Sequence, residues 1–97
     1  MIEITEEESE TMNLAIDIYG VHNQVEKCIE EMAELTQALI KWHQDPYGDK
    51  KANHVAEEIA DVRIMIEQMT MIFDEGCVGA WISKKTKRLA NRLHKEV

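Results

Sequence analysis

Residues 25–40 read VEKCIEEMAELTQALI, and this stretch decides the fold class. Val25, Cys28, Ile29, Met32, Leu35, Thr36, Leu39 and Ile40 recur at three- and four-residue spacing, which is the period of one helix face and not the alternation of a strand. The pattern predicts a helix over about 21–43. Asp45-Pro46-Tyr47-Gly48-Asp49 then breaks it with turn residues. A second helix is expected over about 53–73, capped by Asn53 and carrying Val55, Ile59, Val62, Met65, Ile66, Met69 and Phe73. Asp74-Glu75-Gly76 should close it. A last helix is expected over about 78–95, with Ile82, Leu89 and Leu93 facing inward. Upstream, Thr5-Glu6-Glu7-Glu8 has the form of a capping box. It opens a first helix bearing Met12, Ala15, Ile16 and Tyr19, which Gly20 should stop. Short connections make successive helices antiparallel. The expected fold is therefore all-α, a four-helix bundle around a long central αα-hairpin.

Composition agrees and sets limits. The 97 residues make one domain, 1–97, with 44% apolar and 31% charged side chains. Only five aromatic residues and one proline are present, which excludes a β-sandwich. A chain of this length buries only about 60–65% of its unfolded surface. Three long amphipathic helices offer more apolar face than that, so the bundle is expected to be completed by a second copy, as a homodimer. No apolar run approaches the roughly 18–20 residues of a membrane span. The acidic start MIEITEEESE differs from a basic, then apolar signal peptide. Both features lead to the expectation of a cytoplasmic protein with no membrane partner. Cys28 and Cys77 lack metal-site or CxxC spacing, so they read as free thiols, one on a helix face and one in a loop.

The net charge of −8 hides a division. Residues 81–97 hold Lys84, Lys85, Lys87, Arg88, Arg92 and Lys95 against Glu96 alone, a local +5, and the other 80 residues sum to −13. That polarity argues against nonspecific nucleic-acid binding. The acidic part has structure of its own. Glu31 and Glu34 are three residues apart, as are Glu58 and Asp61, and residues so spaced are neighbours on a helix surface. Both pairs fall beside the apolar stripe, roughly 60–170° from its centre at about 100° per residue, with Glu58 and Asp61 nearer the seam. Two carboxylates about 4 Å apart repel by roughly 4 kcal/mol at an effective dielectric near 20. If all four converge, protons or a hard divalent cation must stand between them, and an all-oxygen donor set suits Mg²⁺ or Mn²⁺.

The pattern Glu30-Glu31-x-x-Glu34, twenty-three intervening residues, then Glu58-x-x-Asp61 resembles the signature of the MazG-like nucleotide pyrophosphohydrolases, the all-α NTP pyrophosphatases. The flanks EEMAEL, EEIADV and KTKRLANRL are similar too, so the likeness covers residues 20–95. The short chain resembles the small single-domain members of phage and Firmicutes type. The resemblance implies Mg²⁺-dependent hydrolysis of a nucleoside triphosphate to the monophosphate and pyrophosphate, Mn²⁺ being a substitute. It also implies a homodimer or a dimer of dimers. Carried over, Glu31, Glu34, Glu58 and Asp61 would be metal ligands, and Glu30 would orient or deprotonate the attacking water. Lys85, Arg88 and Arg92 match the family's basic tail and would meet the phosphates. Gln24 matches a position near the start of the family's first motif helix and would read a base edge or make a surface hydrogen bond. Trp42, two turns past the first motif, would stack on a base or serve as a half-buried packing residue. The short segment Gln44–Ala52 leaves little of the base pocket to its own chain and suggests a pocket shared with a second subunit. The competing expectation is a catalytically silent helical module that dimerises and binds a nucleotide or protein. Met65, Met69 and Met71 read as adaptable core or interface, Trp81 as an anchor of the last helix, and His22, His43, His54 and His94 as ordinary surface or helix-end residues.

Overall fold

The computed structural model describes residues 2–96, which form four α-helices and, among the described residues, no strand. They are α1 (Glu6–Tyr19), α2 (Val21–Gln44), α3 (Asp49–Phe73) and α4 (Glu75–Glu96). The capping box at α1 is complete. The Thr5 hydroxyl accepts from the Glu8 N–H at 3.1 Å, and Glu8 Oε1 accepts from the Thr5 N–H at 2.9 Å. That second bond holds the Glu8 carboxyl below its ordinary value. Gly20, at φ +89, separates α1 from α2 with a single left-handed residue that a side chain would strain.

Two helix starts lie upstream of their expected positions. α3 begins at Asp49, so Asn53 lies inside the helix and is not its cap. The turn is instead closed by Lys51, whose Nζ reaches the Asp45 carboxylate at 2.9 Å and its carbonyl at 3.4 Å. This pairing draws the Asp45 carboxyl below its usual range. α4 begins at Glu75 because one residue, Asp74 at φ +91, suffices to break α3. Asp74 Oδ1 then accepts from the Cys77 N–H at 3.2 Å and caps the new helix. Gly76 belongs to α4, and a Cβ there would meet Asp74 Oδ1 at 3.3 Å. Cys77 is consequently helical and exposed, not a loop residue, while Cys28 is buried.

The α2–α3 hairpin is the body of the molecule, and α1 lies on it through buried Met12. Gln24, Cys28, Glu31, Leu35 and Ala38 of α2 are buried or half-buried, as are Val55, Glu58, Val62, Met65 and Met69 of α3. Spacings alternate between three and four on both helices, the seven-residue pattern of a knobs-into-holes seam. This seam is not the centre of the apolar stripe. At about 100° per residue it is turned towards the carboxylates by roughly a quarter of a revolution on α2 and by about 30° on α3. Ile29, Met32, Leu39 and Ile40 of α2 are exposed as a result, with Ile59, Ile66 and Phe73 of α3. In an antiparallel pair these positions lie on the same side of the seam. A shallow cavity lined by Leu39, Trp42, Ala52 and Val55 marks that apolar face.

α4 departs furthest from expectation. Ile82, Leu89 and Leu93, expected inward, are 61%, 49% and 47% exposed in the order Ile82, Leu93, Leu89, and no residue of α4 is buried. Trp81 is also exposed, with the Lys84 ammonium 5.1 Å from its ring centre. The radius of gyration is 16.2 Å, where a compact domain of this length has about 13 Å. The chain exposes 7967 Å², against about 5,700 Å² for a folded monomer of its mass.

Because Ala38 is only 3% exposed between α2 and α3, Ala38→Leu should overpack the seam and destabilise the chain by about 1–3 kcal/mol. A urea denaturation midpoint checks this, and an unchanged midpoint would mean that the hairpin is looser than described.

Candidate metal centre

Halfway along the hairpin, the seam positions that hydrocarbon normally fills carry Glu31 and Glu58. Each residue is 7% exposed, and acids are rarely buried so deeply without a partner. Glu34, one turn beyond Glu31 and exposed, completes a group in which three carboxylates each bring one oxygen within 4.8 Å of the others. Asp61 is half-buried one turn along α3 and lies outside this group.

The charge is only partly compensated. Lys27 Nζ stands 3.1 Å from Glu31 and 3.9 Å from Glu30, and its ammonium is held above the ordinary value chiefly by its hydrogen bond to Glu31. Glu58 has His54 at 3.8 Å, beyond hydrogen-bonding distance. One oxygen of each buried acid, Oε2 of Glu31 and Oε2 of Glu58, has no hydrogen-bond partner. Such orphaned buried acceptors are costly. Their proximity also pushes the Glu34 carboxyl above its usual value, Glu31 contributing most and burial and Glu58 less, with Lys27 opposing. Three carboxylates that converge, two of them with an unsatisfied oxygen, are a donor set that fits a hard divalent cation.

The remaining expected residues are dispersed. Glu30 is exposed on the rim and lines a cavity beside the centre. Gln24 is buried one heptad before Glu31, whereas Trp42 lies near the opposite end of α2. Eighteen residues separate Gln24 from Trp42, about 27 Å along a helix, so the two cannot contact one base from a single chain. Lys85, Arg88 and Arg92 are exposed on α4 and make no ion pair among the described residues.

Two further polar residues stand out, His54 beside the centre and Gln68 farther along α3. His54 shares Glu58 and Glu57 as neighbours, its ring nitrogens 3.8 and 3.9 Å from them. The i, i+4 spacing of His54 and Glu58 was the available signal. Gln68 is 3% exposed and accepts a hydrogen bond from Gln24 Nε2. Nothing in its local sequence distinguishes it from a surface glutamine.

No protein-family model matches the chain, and no curated protein or solved structure matches it significantly. No helix among the described residues is long and apolar enough to cross a membrane.

The raised Glu34 carboxyl gives a signed prediction. An acid whose folded pKa exceeds its unfolded one binds more protons when folded, so stability falls as pH rises from the unfolded value through the raised one. In EDTA, Glu34→Gln should remove this falling limb and melt higher than wild type near neutral pH. Thermal melts across the carboxylate range and up to neutrality measure it. A variant that melts lower than wild type would contradict the repulsion.

Proposed function

We propose that the protein is a divalent-metal-dependent nucleotide pyrophosphohydrolase of the MazG-like kind, converting a nucleoside triphosphate to its monophosphate and pyrophosphate. The observation that carries this reading is the pair of seam carboxylates, nine-tenths buried, each with an oxygen lacking any partner. A purely structural hairpin has no use for them. Lys27 compensates Glu31 in part, and Glu58 has only His54 at 3.8 Å. Buried charge so incompletely compensated destabilises a fold, and its presence favours a ligand that completes the compensation. Glu31, Glu34 and Glu58 would hold Mg²⁺, or Mn²⁺ in its place, with Asp61 one turn away on α3. The chemistry supplied by the cation is Lewis-acid polarisation of phosphate oxygens.

The chain's own residues have distinct tasks in this scheme. Glu30, exposed beside the centre, orients the attacking water and takes its proton. Lys27, already paired to Glu31 at 3.1 Å, limits repulsion within the centre before substrate arrives. Lys85 and Arg92 flank the apolar stripe of α4 on one side, with Arg88 next to them, an arrangement suited to the charge that grows on departing pyrophosphate.

A homodimer or dimer of dimers is part of the proposal. The chain exposes about 2,300 Å² more than a monomer of its mass, an amount in the range of obligate interfaces. The uncovered face of the hairpin and the apolar stripe of α4 are its natural content.

With Mg²⁺ present, at least one natural or modified nucleoside triphosphate should yield phosphate only after inorganic pyrophosphatase is added, which marks cleavage between the α- and β-phosphates. Glu58→Gln should abolish this turnover while leaving the helical circular dichroism intact. A protein that turns over none of them with either Mg²⁺ or Mn²⁺ would instead be a helical dimerisation module.

Assembly is checked separately. Sedimentation equilibrium at low micromolar concentration should give a mass at least twice that of one chain, and a stable monomer would contradict the surface argument.

A further inference from the structure

The α2–α3 hairpin is tied at its closed end by the turn, where Lys51 pairs with Asp45 at 2.9 Å. Its open end has less hydrocarbon to hold it. Val21 and Phe73, at the helix termini there, are 44% and 63% exposed. A cavity of about 560 Å³ lies beside the contact, with Tyr19, Lys27 and Met65 among its walls. Across the seam at this end, Gln24 of α2 meets Gln68 of α3. The two are 6% and 3% exposed, and Gln24 Nε2 donates to Gln68 Oε1.

Counting from that bond locates the carboxylates. Glu34 lies ten residues after Gln24 on α2, and Glu58 lies ten residues before Gln68 on α3. In an antiparallel pair the two acids therefore stand level, about 15 Å from the amides, with Glu31 one turn nearer. Glu34 is also ten residues from the end of α2 at Gln44, and Glu58 is nine from the start of α3 at Asp49. The centre thus sits midway between two ties, one at the turn and one at the amides.

That placement matters because the centre pushes the helices apart. Glu31 and Glu58 are buried like charges, and Lys27 compensates Glu31 only in part. Repulsion midway along a hairpin fixed only at its turn would open the far end or slide one helix past the other, at about 1.5 Å per residue of slip. Apolar contacts resist sliding weakly, since one methylene is as good a neighbour as the next. An amide–amide hydrogen bond is directional, and a displacement of about 1 Å breaks it. Gln68 would then be left with the Met65 sulfur at 3.8 Å as the acceptor for its Nε2, a poor substitute, and a buried amide without a partner is costly. A single buried polar side chain fixes the register of coiled coils on the same ground.

We propose that Gln24 and Gln68 are positioning residues, a clamp on the open end of the hairpin that keeps Glu31, Glu34 and Glu58 converged against their own repulsion. The proposal rests on the metal-centre reading only for the use to which that convergence is put. The test replaces both amides by near-isosteric thioethers, in Gln24→Met/Gln68→Met, with Gln24→Leu/Gln68→Leu as a second variant. In EDTA the double variants should melt close to wild type, because exchanging a hydrogen-bonded pair for apolar groups of similar shape is nearly neutral. Backbone amides in the first turns of α2 and the last turns of α3 should nonetheless exchange hydrogen faster, with those beside the turn unchanged. Calorimetry should show Mn²⁺ bound about tenfold more weakly, the effect of one lost hydrogen bond. A pair that served stability alone would move the melting temperature and leave the affinity. Unaltered exchange at the open end overturns the clamp, as does unaltered Mn²⁺ affinity in variants of a wild type that binds the ion. Faster exchange in variants of a protein that binds neither Mn²⁺ nor Mg²⁺ overturns the metal-centre reading and leaves the clamp standing.

Discussion

The burial of Glu31 and Glu58 between α2 and α3 governs the rest of the structure, because two carboxylates cannot replace hydrocarbon in a helical seam without changing what surrounds them. Each removes a large apolar side chain from the contact and adds a charge that the interior does not solvate. Smaller partners occupy neighbouring seam positions, Cys28 and Ala38 on α2 and Val55 and Val62 on α3. The helices pack closely, but the seam alone buries little hydrocarbon. Stability is conceded at the centre of the molecule, as is common where a site must be preorganised.

Large apolar side chains displaced from the seam do not disappear. They reappear on one side of the hairpin as Ile29, Met32, Leu39 and Ile40, with Ile59, Ile66 and Phe73 from α3. The same rotation that brings Glu31 and Glu58 into contact turns this group outward. An acidic side and an apolar side of one hairpin are thus two results of a single helix rotation. Its α4 repeats the theme, with an apolar stripe and a cationic strip and nothing buried. A chain built in this way has its hydrophobic content distributed for association and its charge gathered for a ligand.

Much of this was legible in the sequence, and the exceptions have physical causes. Periodicity located four helices, and Thr5 with Glu8 identified a cap that is present in full. Helix starts were missed where the breaking residue acts through backbone conformation, as at Asp74, or where a side chain from the next helix closes the turn, as Lys51 does with Asp45. Rotation about the α2 axis was not legible, because a broad apolar stripe does not say which of its edges meets the neighbouring helix. For that reason Met32 and Leu39 read as core, and Glu31 read as peripheral. Spacing made Glu31 a neighbour of Glu34 and Glu58 a neighbour of Asp61. Whether the two pairs meet depends on the packing of α2 against α3, which joins Glu58 and not Asp61 to the group. Gln68 was invisible, since its significance depends on Gln24 across the hairpin. Ile82, Leu89 and Leu93 show the same limit, as amphipathicity marks a face for burial without naming the chain that covers it.

The junction at Asp74 has a mechanical meaning as well. A single non-helical residue joins α3 to α4, so the junction contains little chain in which a change of register could be absorbed. Adding or removing one residue there would turn every side chain of α4 by about 100° relative to α3. Lys85, Arg88 and Arg92 would then swing away as a group, with their chemistry unaltered. The position of the cationic strip is thus stored as a phase angle set by chain length, a property that point substitutions elsewhere in α4 would leave untouched.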